Sequence, residues 1–127
     1  MKSNNIALVT KFAARSLTGE QVEKLLEVLS KAPANILILQ GNYKESMEYA
    51  GQIADVFRKA KWNVEVAEYP DGLINIGLVI SKVGNATFGV DHALKNAGME
   101  FNFTGSADKR VSLRVGLNTV VLDSRIL

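Results

Sequence analysis

Hydrophobic positions along the chain fall into two short runs that are apolar on both alternating faces, and into several stretches that alternate or follow helical spacing. Ile36-Leu37-Ile38-Leu39 and Ile76-Gly77-Leu78-Val79-Ile80 are the two runs. Each has the pattern of a strand covered on both sides in the interior of a sheet. The first leads through Gly41-Asn42 into an amphipathic helix, and Asn42 and Glu45 have the spacing of a capped helix N-terminus. Met47, Ala50, Ala54 and Phe57, three and four residues apart, are expected to form its buried face. Val64 to Glu68 then alternates, which predicts a strand at an edge or with one face in water. Together these make a βαβ unit, and Ile38 and Leu78 are expected to lie fully buried at the sheet centre.

Upstream, residues 5 to 16 fit a strand through Ile6, Leu8 and Phe12 or a helix face through Ile6, Val9, Phe12 and Ala13, and the helix is preferred. Thr18 and Gln21 form a capping-box pair, with Leu17 and Val22 placed as a hydrophobic staple. Val22, Leu25, Leu26 and Leu29 then make one apolar stripe, predicting a helix to about Lys31, before Pro33. Downstream, Tyr69-Pro70-Asp71-Gly72 is strong turn chemistry. The second interior run ends near Gly84-Asn85 and precedes a helix from about Ala86 to Ala97, with Val90, Ala93, Leu94 and Ala97 inward and Gly98 as its stop. Phe101-Asn102-Phe103 alternates as an edge strand, Val111, Leu113 and Val115 as an outer strand, and Val120-Val121-Leu122 forms a last apolar segment.

The two halves look alike. Phe57 to Val66 aligns without gaps on Leu94 to Phe103, helix end on helix end and strand on strand, which predicts a duplicated strand–helix–strand. Lys61 then occupies the position where Gly98 supplies a left-handed helix stop. The preferred architecture is α/β: a three-layer Rossmann-like or flavodoxin-like mixed sheet of about five strands, with the two interior strands parallel. The alternative is a ferredoxin-like βαββαβ sheet with an extra N-terminal helix, its hairpin turning at Pro70-Asp71-Gly72.

Arg15-Ser16-Leu17-Thr18, the segment Glu48 to Trp62, the strand Gly77-Leu78-Val79-Ile80 and the late Val115-Gly116 resemble a small Rossmann-like soluble domain. That domain occurs in uncharacterised bacterial proteins, often attached to an N-terminal membrane segment. The resemblance covers most of the chain. It implies the fold, and it brings no known catalytic residues with it.

Composition narrows the function classes. The 127 residues fit one domain with a single core, and 47% hydrophobic and 22% charged residues are ordinary for a globular protein. Fifteen basic against thirteen acidic residues leave a net charge of +2, so overall field implies neither a nucleic-acid partner nor an anionic membrane. Without cysteine there is no disulfide, thiolate nucleophile or Cys-based zinc site, which fits a cytoplasmic setting. Ile6 to Val9 is too short for a signal core or a membrane span.

Candidate chemistry concentrates at the two Gly-Asn turns. If the interior strands are parallel, the turns flank one crevice, lined by Gln40, Gly41, Asn42, Tyr43, Ser46, Ser81, Lys82, Gly84 and Asn85, where helix N-termini favour an anion. The competing reading is a pair of ordinary capped turns, since neither has a Walker or G-x-G-x-x-G pattern. His92 is the only histidine and has no second ligand at metal-binding spacing. Glu45 and Glu48 lie in the first turns of a helix, where carboxylates are favourable anyway. Lys109, Arg110, Arg114 and Arg125 are not interleaved with aromatics as a stacking platform requires. No cofactor is implied. The sequence therefore points to a non-catalytic binding or protein-interaction module, with a small enzyme or sensor for a phosphorylated or nucleotide-like ligand at the two turns as the alternative. It further predicts a homodimer or higher symmetric oligomer formed through the C-terminal strands, where the outer strand of Val111, Leu113 and Val115 and the apolar Val120-Val121-Leu122 after it extend the sheet into a second subunit, the alternative being a hairpin folded back on its own sheet near Leu117-Asn118.

Overall fold

The Thr18 hydroxyl accepts the Gln21 backbone N–H at 3.1 Å, while the Gln21 side chain accepts the Thr18 N–H at 3.0 Å. This reciprocal pair starts helix α1 (Gly19–Leu29) where the sequence places it. The computed structural model describes residues 15–41, 43–68, 77–83, 85–105 and 110–116, with the side chains of residues 85 and 86 left aside. The expectations for residues 5–14, for the turn at 69–72 and for the segment 120–122 lie outside the described residues, as do Asn42 and Gly84. After α1 come β1 (Asn35–Gln40), α2 (Lys44–Lys59), β2 (Asn63–Glu68), β3 (Leu78–Ser81), α3 (Asn85–Asn96), β4 (Asn102–Thr104) and β5 (Val111–Val115).

The strands form one five-stranded mixed sheet in the order β2-β1-β5-β3-β4. β1 runs parallel to β2 and to β5, β3 runs parallel to β4, and β3 meets β5 antiparallel. Each half is thus a strand–helix–strand unit, as the internal alignment predicts, and the two units point in opposite directions with β5 between them. The α/β class and the mixed five-stranded sheet agree with the Rossmann- or flavodoxin-like expectation.

Two sequence expectations are corrected here. The interior strands β1 and β3 are neither neighbours nor parallel, because β2 ends and β3 begins at the same end of the sheet. No return along the sheet is needed between them. Both β1 and β3 have strands on either side, and their side chains divide by face: Ile36, Ile38, Leu78 and Ile80 are buried, whereas Leu37, Leu39 and Val79 on the opposite face are half-buried. The second correction concerns β5, expected as an outer strand and found at the centre, paired on both sides. Val111, Leu113 and Val115 are all buried, so β5 offers no edge to a second subunit.

Register explains the core. Ile38 lies beside Leu113, and Leu113 beside Ile80, so the three fully buried side chains make a row across the centre of one face. Leu25, Leu29, Ile53, Phe57, Val90 and Leu94 from the three helices complete the same cluster. Ile38 and Leu78 are both buried, as expected. In α2 the buried residues are Ser46, Tyr49, Ala50, Ile53, Ala54, Val56 and Phe57, whereas Met47 is 40% exposed. The inward stripe 46, 49, 50, 53, 54, 57 turns Met47 outward, because adjacent helical positions differ by about 100°. Trp62 ties the layers together: its indole N–H donates to the Leu29 carbonyl at 2.8 Å and its ring meets Phe57 edge-on at 5.2 Å.

The helix ends carry the duplication to atomic detail. After α2, Lys61 N–H donates to the Arg58 carbonyl at 3.0 Å and Trp62 N–H to the Phe57 carbonyl at 3.0 Å. After α3, Gly98 N–H donates to Lys95 and Met99 N–H to Leu94, both at 2.9 Å. Lys61 and Gly98 share φ of 72°, the left-handed conformation that glycine adopts with little strain. Lys61→Gly is expected to leave the fold intact and raise stability by up to about 1 kcal/mol. Urea unfolding measures this, and a destabilised variant would contradict the assignment of Lys61 as a strained stop.

Candidate functional site

The carboxyl ends of the parallel strands β1 and β5 lie side by side, with Gln40 in register with Val115 and Gly41 N–H donating to the Val115 carbonyl at 3.2 Å. The chain leaves β1 here for α2 and β2, while β5 stands on the other flank of β1. Ligands of open α/β sheets bind outside the carboxyl ends of parallel strands. Gln40, Gly41, Tyr43 and Ser46 of the predicted site gather at this end.

An ion pair that sequence reasoning missed closes over it. Arg15 donates from Nε and from one terminal nitrogen to the two Glu45 carboxylate oxygens at 2.7 and 2.8 Å, and its backbone N–H donates to the same carboxylate at 3.1 Å. The same terminal nitrogen also donates to the Gly116 carbonyl. The Arg15 guanidinium lies 4.5 Å from the centre of the Tyr49 ring. With only 16% and 10% of their side chains exposed, the two charges are held in a largely dry, bidentate geometry. Gln52 anchors the approach to α1 by accepting the Leu17 N–H at 2.8 Å and the Ser16 hydroxyl at 3.3 Å. Burial pushes the Tyr49 phenol above its ordinary range, the Arg15 charge opposing and the Glu45 charge adding to the rise. Thirty residues separate Arg15 from Glu45, and no periodicity reaches that far. The sequence signal was confined to Glu45, which reads equally well as a favourable first-turn carboxylate.

Helix α2 begins one residue later than predicted. Its N-cap is Tyr43, whose side chain makes no capping hydrogen bond, and Met47 N–H closes the first turn on the Tyr43 carbonyl at 2.9 Å. Ser46 is fully buried and its hydroxyl has no hydrogen-bond partner.

The second predicted turn lies elsewhere. Ser81 ends β3 and Lys82 follows it, at the amino ends of β1 and β5. About five residues of strand, roughly 16 Å, separate them from Gly41. The two turns therefore do not share one crevice. The described groups of the second turn are also engaged: the Thr87 hydroxyl donates to the Ser81 carbonyl at 2.8 Å and accepts the Val83 N–H at 2.9 Å. Ser81 Oγ accepts the Ser112 N–H at 2.6 Å, and Lys82 N–H donates to the Thr104 carbonyl at 2.9 Å.

At that same end of the sheet a cavity of about 150 Å³ is lined by Asn35, Ile36, Asn63, Glu65 and Arg110. It is smaller than the roughly 300–1,000 Å³ of typical ligand sites. His92 is exposed on α3, and among the described residues no group of three acidic, histidine or cysteine side chains could hold a metal ion.

Comparison of the chain with protein-family models, with curated proteins and with solved structures finds no match. The fold and the site rest on the residues alone.

Glu45→Gln keeps the shape of the clasp and removes its negative charge, leaving Arg15 half-desolvated without its counter-charge. Unfolding free energy is expected to fall by about 1.5–3 kcal/mol, the range for hydrogen bonds to charged groups. A change within a few tenths of that of a surface substitution would show the clasp to be solvent-screened.

Proposed function

We propose that this chain is a non-catalytic protein-interaction module that pairs with a second copy of itself through the edge strand β4. The observation that carries the reading is the exposed aromatic side chain on this edge: Phe103 on β4 is 41% exposed. Phe101 packs edge-on against Phe103 at 5.4 Å, and the Lys82 ammonium lies 5.3 Å from the Phe103 ring centre. Among the described residues β4 pairs only with β3, and a strand at the margin of a sheet is where a second chain can add.

The two edges differ in how they treat a partner. β2 carries Glu65 and Glu68, with Glu65 in an ion pair with Arg110, and such charges discourage strand addition. β4 has no charge between Asn102 and Thr104. A two-fold axis through Phe103 sets that ring against its copy, and aromatic cross-strand pairs are favourable by roughly 0.2–1 kcal/mol each. Three residues of ladder are few, so most of the association energy falls to the exposed Phe103 ring. A cytoplasmic setting fits a chain without cysteine, and among the described residues no helix is long and apolar enough to cross a membrane.

Sedimentation equilibrium from micromolar to near-millimolar concentration tests the reading. The intact chain is expected to show a concentration-dependent dimer that Phe103→Lys abolishes without lowering the melting temperature. A monomer throughout that range, or a dimer indifferent to Phe103→Lys, would overturn it.

A further inference from the structure

A second recognition feature stands at the other margin of the sheet from β4, where β2, β1 and β5 begin. Asn35 is in register with Asn63, and Ile36 with Val111, so Asn63, Asn35 and Arg110 form a row across these three amino ends. Asn35, Asn63 and Glu65 alternate with Ile36 and Val64, which belong to the core or pack against it, and so stand on the face turned away from it. β1 lies between β2 and β5, which are therefore roughly 9.5 Å apart. The Arg110 guanidinium and the Glu65 carboxylate nevertheless meet at 2.5 Å. Their side chains bridge β1, and this bridge lines the cavity of about 150 Å³ together with Asn35, Ile36 and Asn63.

Size and charge decide what fits. At about 30 Å³ for each molecule of liquid water, the cavity has room for about five waters, or for an organic molecule of about as many non-hydrogen atoms. The bridge is easily opened, because its side chains are 37% and 62% exposed and ion pairs so open to solvent contribute little to stability. A simple carboxylate that took the guanidinium would set two negative charges beside one positive. A simple ammonium on Glu65 would set two positive charges beside one negative. A molecule that carries both charges replaces one ion pair by two and keeps the balance, and the Asn carboxamides, which donate and accept, can serve either end. Two further cations stand near: Lys61, exposed in the turn two residues before Asn63, and Arg114, four residues or roughly 13 Å beyond Arg110 on the same strand. Neither lines the cavity, and their positive charge disfavours a simple ammonium most. We infer that the bridged cavity is a binding site for a small zwitterion of the α-amino-acid class, its carboxylate on Arg110 and its ammonium on Glu65, with the Asn35 and Asn63 carboxamides beside it. The inference does not rest on pairing through β4.

The test titrates the full chain with glycine and, separately, with sodium acetate and methylammonium chloride at matched ionic strength and pH. The side-chain amide resonances of Asn35 and Asn63 and the Nε–H of Arg110 are followed. Glycine is expected to shift all three saturably and to bind about tenfold or more tightly than either single-charge probe, the factor for one lost hydrogen bond to a charged group. Glu65→Gln keeps the shape of the bridge and removes the partner of the ammonium. It is expected to melt like the wild type, to weaken glycine by a similar factor, and to strengthen acetate, whose competitor for Arg110 is gone. Asn63→Ala leaves both charges in place and is expected to weaken glycine without strengthening acetate. Glycine that produces no saturable shift overturns the inference, as does acetate binding as tightly as glycine to the wild type. Unchanged glycine affinity in Glu65→Gln overturns it too, and unchanged affinity in Asn63→Ala shows that the ligand lies outside the cavity.

Discussion

Everything in this fold depends on Leu113 packing between Ile38 and Ile80. Each strand–helix–strand half ends in an open inner edge, β1 in one and β3 in the other, and the two edges run in opposite directions. A strand that joins them must pair parallel on one side and antiparallel on the other. β5 does both, and its alternate side chains complete the apolar row that the helices cover. Because β5 comes late in the chain and pairs with β1, which comes early, the central row is closed by contacts of long sequence separation. Such contacts carry a high loop-closure entropy and form slowly.

The same mixed geometry separates two turns that look alike in sequence. In the parallel part, the end of β1 faces the end of β5, and the first turn of α2 opens between Gly41 and the Arg15–Glu45 clasp. β3 points the other way, so its turn falls at the far end of the sheet, where Thr87, Ser112 and Thr104 bond the described groups of the segment Ser81 to Val83. Similar local sequence thus gives one turn whose described groups are bonded and one with a buried, unpartnered hydroxyl. Strand direction decides at which end of the sheet each turn lies.

Features whose cause lies within a few residues were legible in the sequence. Thr18 and Gln21 specify their capping box by spacing alone, and Lys61 could be matched to Gly98 because the helix ends align without a gap. The inward residues of α3 follow from period 3.6, and those of α2 do so except Met47, where a stripe displaced by one position was equally apolar. Strand order was not legible. A doubly apolar run records that a strand has neighbours on both sides and covered faces, and says nothing of which strands they are or how they run. For β5 the alternation of Val111, Leu113 and Val115 suggested an edge, since Ser112 and Arg114 look solvent-facing. Ser112 is nonetheless buried, with its N–H held by Ser81. The Arg15–Glu45 clasp was hidden for a related reason: it joins residues brought together by topology and not by spacing.

Inter-strand nuclear Overhauser contacts of the β5 backbone test the central placement most directly. The account predicts that Leu113 and its neighbours show a parallel pattern to Ile36–Gln40 and an antiparallel pattern, with short Hα–Hα contacts, to Leu78–Ile80. Contacts to only one neighbouring strand, or direct backbone contacts between β1 and β3, would contradict it.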